Sequence, residues 1–313
     1  MLLGSNIRRR TDGVAGGADR EVAAVASSGN DVKRIGVVGS GIMGSGVAEV
    51  AAKAGFEVVL RSRTQSSADA MVAGLERSLD KQVERGKVTE DERVAALERV
   101  RAVTDLGEFG ECDLVLESIV EDLAMKKHLF TELDRVCADG AILATNTSTL
   151  PVVEMAMETG RPDRVCGVHF FNPAPVMPLV EVVRAITTSD ETVATARAFA
   201  EACGKTVVDV KDQAGFVVNA LLFPYLNNAV KLLDAGVASR EDIDAAMKGG
   251  CNFPMGPLEL LDLVGLDTSV AILDALYAEF HDPNFAPAPL LRRMVAARRL
   301  GRKTGEGFYR YED

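Results

Sequence analysis

Near its start the chain carries GVVGSGIMGSG, Gly36 to Gly46, as the continuation of the apolar run VKRIGVV. An apolar strand that breaks into a glycine turn and reopens with helical spacing, IMGSGVAEVAAKAG, admits few folds. It reads as the first strand-to-helix step of a buried parallel sheet. The spacing G-x-G-x-x-G falls on Gly39, Gly41 and Gly44, with Ile42 and Met43 opening the helix. In such a loop the first glycine permits the tight turn. The second lets the backbone approach a pyrophosphate, and the third lets helix and strand pack closely. The pyrophosphate lies at the helix N-terminus, where unpaired N–H groups and the macrodipole favour an anion. A glycine-rich turn alone could match this spacing by chance. The strand before it, the helix after it and the βαβ unit it opens favour a dinucleotide site.

Further short apolar runs follow at FEVVLRS, CDLVLES, AILATN, RVCGVHF, LVEVVRA and KTVVDV, and helical patterns separate most of them. Alternation of this kind predicts an α/β fold with a Rossmann-type, doubly wound, mostly parallel sheet. After Asp212 the pattern becomes all-helical, with helices expected over 215–233, 240–247, 256–264, 267–279 and 287–300. The expected organisation is a poorly ordered tail over 1–32, a dinucleotide-binding domain over 33–211 and a helical domain over 212–313. The tail is rich in Gly, Ala, Ser and Arg and has no apolar core that would mark a secretory signal.

Composition narrows the partners. A net charge of −11 disfavours nucleic acid, which wants a basic footprint. The five cysteines contain no C-x-x-C pair and read as reduced thiols of a cytoplasmic protein, with no metal site expected. The most apolar long stretch, GFVVNALLFPYLNNAVKLL, is interrupted by Asn219, Pro224, Asn227 and Asn228, so a membrane span is not expected.

The second strand of such a fold ordinarily ends in an acid that binds the ribose 2′-hydroxyl of NAD. Here the strand ends VVLRSRT, with Ser62 at that position between Arg61 and Arg63. An acid would repel a 2′-phosphate, whereas serine and arginine can bind one. The pattern therefore points to NADP(H) over NAD(H). The alternative is that both arginines are solvated and NAD binds without the acid.

Three histidines occur in the chain. One of them, His169, ends the strand of GVHFFNP, and Glu181 lies twelve positions on in PLVEVV. These segments, together with NTSTL, GFVVNALL, MGPLELLDLVGLD and the terminal GRKTGEGFY, resemble the L-3-hydroxyacyl-CoA dehydrogenase family, most closely its bacterial short-chain members. The resemblance runs from about Val32 to Tyr311. It implies a Rossmann-type domain plus a helical dimerisation domain, a homodimer, and a short-chain acyl-CoA substrate. The implied reaction interconverts (S)-3-hydroxyacyl-CoA and 3-oxoacyl-CoA.

Carried onto this sequence, the resemblance makes His169 the general acid/base and Glu181 its carboxylate partner, side by side on neighbouring strands. A histidine suits proton removal near neutral pH, and a carboxylate on its far nitrogen fixes the tautomer. Ser148 and Asn219 would bind the substrate, with Ser148 also near the nicotinamide. Glu121, Lys126 and Lys303 would contact the dinucleotide, while Ser78 and Arg85 would meet coenzyme A. Each residue also has a bland reading: a strand-end histidine, an edge charge, a turn serine, an inter-helix asparagine, a solvated surface charge. Two other functions compete. One is a sugar-acid dehydrogenase sharing the fold and the His–Glu pair. The other is a dinucleotide-binding protein without activity.

Overall fold

The structure, a computed structural model, describes residues 32–311. The tail expected over 1–32 falls, but for Val32, outside the described residues. Eight strands form one sheet: β1 (Arg34–Val38), β2 (Glu57–Arg61), β3 (Val100–Val103), β4 (Leu114–Glu117), β5 (Ile142–Thr145), β6 (Val165–Phe170), β7 (Leu179–Arg184) and β8 (Thr206–Lys211). Their order is β3-β2-β1-β4-β5-β6-β7-β8. Neighbours pair in parallel except β6 and β7, which are antiparallel. The sequence pattern marks every strand but β3. That strand is a short edge element in which only Val103 is buried, so it lacks the apolar run that identifies the others.

Both faces of the sheet are covered. Helices α1 (Ile42–Lys53), α2 (Gln65–Glu84), α3 (Glu90–Glu98) and α6 (Asp190–Ala202) join Ile35, Val37, Leu60, Leu116 and Val168 in one apolar cluster. On the opposite face α4 (Leu123–Val136) and α5 (Val152–Ala156) pack with Val38, Val59, Val115 and Leu143 in another. Buried parallel strands need apolar side chains on both faces, which is why they read as continuous apolar runs. Burial pushes the thiols of Cys112 and Cys166 up to about 12 and that of Cys137 up to about 11, so they remain protonated packing groups.

The remainder is helical: α7 (Val218–Asp234), α8 (Arg240–Cys251), α9 (Pro257–Val264), α10 (Leu266–Phe280) and α11 (Pro289–Ala296). Phe223, Leu226, Val230, Leu258, Leu261, Leu273, Leu276 and Leu291 form its core. Two buried carboxylates fasten the final segment to this core. Asp262 accepts from Phe308 N and Tyr309 N at 2.8 Å each and from the Tyr311 hydroxyl at 3.0 Å. Asp244 accepts from Leu258 N at 2.8 Å, Glu259 N at 3.0 Å and the Tyr309 hydroxyl at 2.8 Å. The motifs MGPLELLDLVGLD and GRKTGEGFY are thus two sides of one internal contact. Burial raises the Asp262 carboxyl above its ordinary value despite those donors. Among the described residues no helix is long and apolar enough to cross a membrane.

Candidate active site

The glycine loop joins β1 to α1 at the point where the strand order turns, with β2 on one side of β1 and β4 on the other. In open α/β sheets this crevice at the carboxyl ends of the strands is where ligands bind. Gly39 adopts φ +132°, and a Cβ there would lie 2.3 Å from Ser118 O. A Cβ on Gly44 would lie 2.1 Å from Gly39 O, so only glycine allows α1 to start this close to the strand. Gly41 caps α1 with no side-chain hydrogen bond, and space beyond its Cα is open. The first turn therefore presents uncapped N–H groups to an open space, which fits a dinucleotide pyrophosphate. Ile42 is 76% exposed there, and Met43 packs partly against the core.

At the end of β2 the three candidate residues differ in placement. Ser62 is 2% exposed and its hydroxyl donates to Ser67 Oγ at 2.6 Å, so it is turned into the fold. The Arg61 Nε donates to Thr104 O at 3.1 Å, and Arg63 is exposed. The adjoining helix α2 is capped by Thr64 and has no acid in its first turn.

The antiparallel register of β6 and β7 sets His169 directly opposite Glu181. His169 Nδ1 lies 2.8 Å from Glu181 Oε2, and both residues are buried. The other carboxylate oxygen, Oε1, accepts from Val217 N at 3.1 Å and Val218 N at 3.0 Å, at the start of α7. A carboxylate that already accepts from two backbone N–H groups is an acceptor towards the ring as well, so Nδ1 is assigned the hydrogen and Nε2 is left as the ring's acceptor. Phe171 and Phe216 flank the imidazole, with ring centroids 4.5 and 5.6 Å away.

Glu181 also fixes Asn219, one residue beyond the backbone it binds. Two asparagines of α7 make an instructive contrast. Asn227 is fully buried and spent on structure: its amide donates to Ala286 O at 2.8 Å and accepts from Ala288 N at 2.8 Å. Asn219 is largely buried too, yet its side-chain amide has no hydrogen-bond partner among the described residues and is not one of the enclosed polar atoms left without one. Its amide is therefore open to solvent or a ligand, at the start of the helix that Glu181 anchors.

Ser148 lies on the loop after β5. Asn146 Oδ1 ties that loop to β6 by accepting from Phe170 N at 2.8 Å, next to His169. Ser148 N donates to Glu121 Oε1 at 3.1 Å, while its hydroxyl has no partner among the described residues. His169 Nε2, the Asn219 amide and the Ser148 hydroxyl thus come from three adjoining segments, each tethered through hydrogen bonds to β6 or β7. Glu121 is half in solvent, but Lys126 is buried, with its ammonium 2.7 Å from Glu117 Oε1 and 3.2 Å from Glu121 Oε2.

The other candidates stand apart from this group. Lys303 pairs with Asp267 at the start of α10, in the helical part. Ser78 is half-buried on α2, Arg85 is the exposed residue ending that helix, and Lys87 lies just beyond it. Sequence reasoning passed over Glu117, Thr145, Thr147 and Lys205. The Lys205 ammonium donates to Ala174 O at 2.6 Å and Met177 O at 2.8 Å, pinning the proline-rich turn between β6 and β7. For Glu117 and Lys205 the signal is a charged residue inside or abutting an apolar strand, as with the glutamate in LVLE; the two threonines carry no such signal.

Two family models divide the chain. Residues 34–213 match the 3-hydroxyacyl-CoA dehydrogenase NAD binding domain, and residues 215–311 match the 3-hydroxyacyl-CoA dehydrogenase C-terminal domain. A curated relative, the 3-hydroxybutyryl-CoA dehydrogenase of Mycobacterium tuberculosis, is 49% identical over 90% of this chain and 99% of its own. The mitochondrial hydroxyacyl-coenzyme A dehydrogenase of Rattus norvegicus is 44% identical over 90% of this chain and 92% of its own. Among solved structures, that of (S)-3-hydroxybutyryl-CoA dehydrogenase from Ralstonia eutropha superposes with a TM-score of 0.88. It is 42% identical, covering 90% of this chain and 100% of the other.

Proposed function

The chain belongs to the 3-hydroxyacyl-CoA dehydrogenase family, and we propose that His169, held by Glu181, is the proton-transfer group of its reaction on a short-chain substrate. The reaction interconverts (S)-3-hydroxyacyl-CoA, with 3-hydroxybutyryl-CoA as the short-chain case, and 3-oxoacyl-CoA. The nicotinamide dinucleotide supplies the hydride acceptor or donor when bound. In oxidation His169 Nε2 takes the proton of the 3-hydroxyl, and in reduction the imidazolium returns it. Glu181 keeps Nε2 proton-free in the resting ring and stabilises the imidazolium that forms. The Asn219 amide and Ser148 hydroxyl orient the substrate oxygens, since both are polar groups left without protein partners. The observation that carries the assignment is the buried His169–Glu181 pair, which leaves one ring nitrogen spare.

For the dinucleotide we propose NADP(H) in preference to NAD(H). The support is the acid-free end of β2, where Arg61 is followed by Ser62, the exposed Arg63 and the acid-free first turn of α2. Because the Ser62 hydroxyl is already engaged by Ser67, Arg61 and Arg63 would carry the 2′-phosphate, and Ser62 would contribute only its lack of charge. With NADPH abundant in its reduced form, reduction of acetoacetyl-CoA is the proposed cellular direction. Glu121, Lys126 and Lys303 remain proposed contributors on the dinucleotide side, Lys126 from behind Glu121. Ser78 and Arg85 are proposed to meet coenzyme A, with Arg85 and Lys87 offering its phosphates a local basic patch on an acidic chain.

Acetoacetyl-CoA reduction followed by absorbance with NADPH and NADH side by side tests both parts. Turnover with an NADPH preference is expected. An NADH preference would keep the dehydrogenase and return both arginines to solvent. No turnover with either dinucleotide, on short or longer acyl chains, would sink the proposal. A free hydroxy acid as the better substrate would point to a sugar-acid dehydrogenase instead.

A homodimer is also proposed. Leu221 and Leu232 on α7 and Leu263 on α9 are 72%, 46% and 49% exposed, apolar area that a second copy would cover. Sedimentation at micromolar concentration should give twice the chain mass, and a monomer there would overturn this.

A further inference from the structure

The last residue of β4, Glu117, has no solvent-exposed surface, although it is charged and stands at the mouth of the ligand crevice. Its two oxygens are fully used. Oε1 accepts from Ile119 N at 2.6 Å and from Lys126 Nζ at 2.7 Å. Oε2 accepts from Lys126 Nζ at 2.9 Å and the Thr145 hydroxyl at 2.7 Å. From Lys126 the path continues to Glu121 Oε2 at 3.2 Å. Glu121 Oε1 then accepts from the Thr147 hydroxyl and from Ser148 N. Thr147 Oγ1 accepts in turn from Thr149 N at 3.3 Å and Leu150 N at 2.9 Å. One unbroken network therefore joins the loop after β4, helix α4 and the loop that presents Ser148.

Desolvation makes a buried ion pair a poor source of stability compared with a well-packed apolar pair. What it does supply is geometry: Glu117, Lys126 and Glu121 satisfy each other only when these three segments hold one arrangement. Proton transfer uses none of Glu117, Lys126, Glu121, Thr145 and Thr147, yet the path ends on the backbone of the serine whose hydroxyl is free. We infer that Glu117 is a positioning residue for the reaction, fixing the Ser148 hydroxyl through Lys126 and Glu121. Thr145 supports Glu117 from the neighbouring strand. This rests on the reading of Ser148 as a substrate-orienting group. Small displacements of an orienting group are costly, since about 1 Å can lower turnover on the order of a hundredfold.

The test is a double-mutant cycle in the full chain, with kcat and KM for acetoacetyl-CoA reduction and thermal melting for each variant. Glu117→Gln keeps the shape of the side chain and removes its charge. It is expected to lower kcat roughly tenfold to a hundredfold, with KM changed much less. In a Ser148→Ala background the same substitution should add less than about a threefold loss, because its route to the reaction is already cut. If the two losses multiply, Glu117 acts elsewhere and the inference falls while Ser148 keeps its role. If Ser148→Ala alone retains wild-type kinetics, the reading of Ser148 falls and takes the route with it. Wild-type kcat in a folded Glu117→Gln protein overturns the inference directly. Should Glu117→Gln fail to fold, Lys126→Met removes the link between Glu117 and Glu121 while keeping an unbranched side chain of similar length. It should show a loss of kcat with the same non-additivity, and additivity there would overturn the inference equally.

Discussion

Replacing His169 by alanine is expected to lower kcat by roughly two to four orders of magnitude, the range ascribed to a positioned general acid or base. At about 1.4 kcal/mol per decade, that is on the order of 3–5 kcal/mol of lost transition-state stabilisation. Dinucleotide affinity should be nearly unchanged, because the imidazole is placed by β6 and the glycine cradle by β1 and α1. The fold should persist as well. Glu181 keeps the two N–H donors of Val217 and Val218 when its third partner is removed, so the start of α7 stays anchored. Steady-state kinetics, a dinucleotide titration and a melting curve on the same preparation separate these effects. Substantial activity in a folded His169→Ala protein would remove the histidine from the mechanism. Lost dinucleotide affinity would mean that the side chain serves binding instead.

How much of this was legible in the sequence depended on the distance over which each feature is specified. The glycine loop is local: strand, turn and helix start lie within about a dozen residues, and each glycine answers a steric demand readable from spacing. The strands of the sheet interior were legible because burial on both faces leaves an uninterrupted apolar run. The edge strand β3 was not, since Val100–Val103 is half in solvent and carries Arg101. The pairing of His169 with Glu181 on neighbouring strands comes from the family resemblance, with which a proline-rich turn between two apolar runs agrees. The Glu117 network is the opposite case. Its partners come from positions 117, 121, 126, 145 and 147, and only the pairing of β4 with β5 brings Thr145 against Glu117. A lysine such as Lys126, three residues into an amphipathic helix, reads as a solvated charge until that pairing is known. Asn219 and Asn227 illustrate the same limit: both are apolar-helix asparagines, the family resemblance alone singles out Asn219, and the bonds that spend Asn227 on structure appear only in three dimensions.

The glycine loop yields the other large effect, through two alanine substitutions that should fail differently. A Cβ on Gly44 would sit 2.1 Å from the backbone oxygen of Gly39, against an ordinary carbon–oxygen contact of roughly 3.3 Å. Backbone cannot swing aside as a side chain would. The loop is also bonded on both flanks, with Gly39 N donating to Arg61 O at 3.2 Å and Ser118 N to Val38 O at 2.7 Å. Gly44→Ala must therefore push α1 away from β1, an overpacking cost of about 1–3 kcal/mol, and lower both the melting temperature and dinucleotide affinity. Gly41→Ala differs. Its φ of −79° suits alanine and its Cβ would meet nothing within 4 Å, so the melting temperature should stay at the wild-type value. That open space is where a pyrophosphate must come close to the backbone, so dinucleotide affinity should still fall, by about a hundredfold if contact with the uncapped N–H groups is lost. Titration of both variants with NADPH and NADH, beside their melting curves, reads the difference. Wild-type affinity in Gly41→Ala would place the pyrophosphate elsewhere and leave the glycines as packing devices. Loss of affinity without loss of stability in that variant marks the first turn of α1 as the surface the dinucleotide occupies.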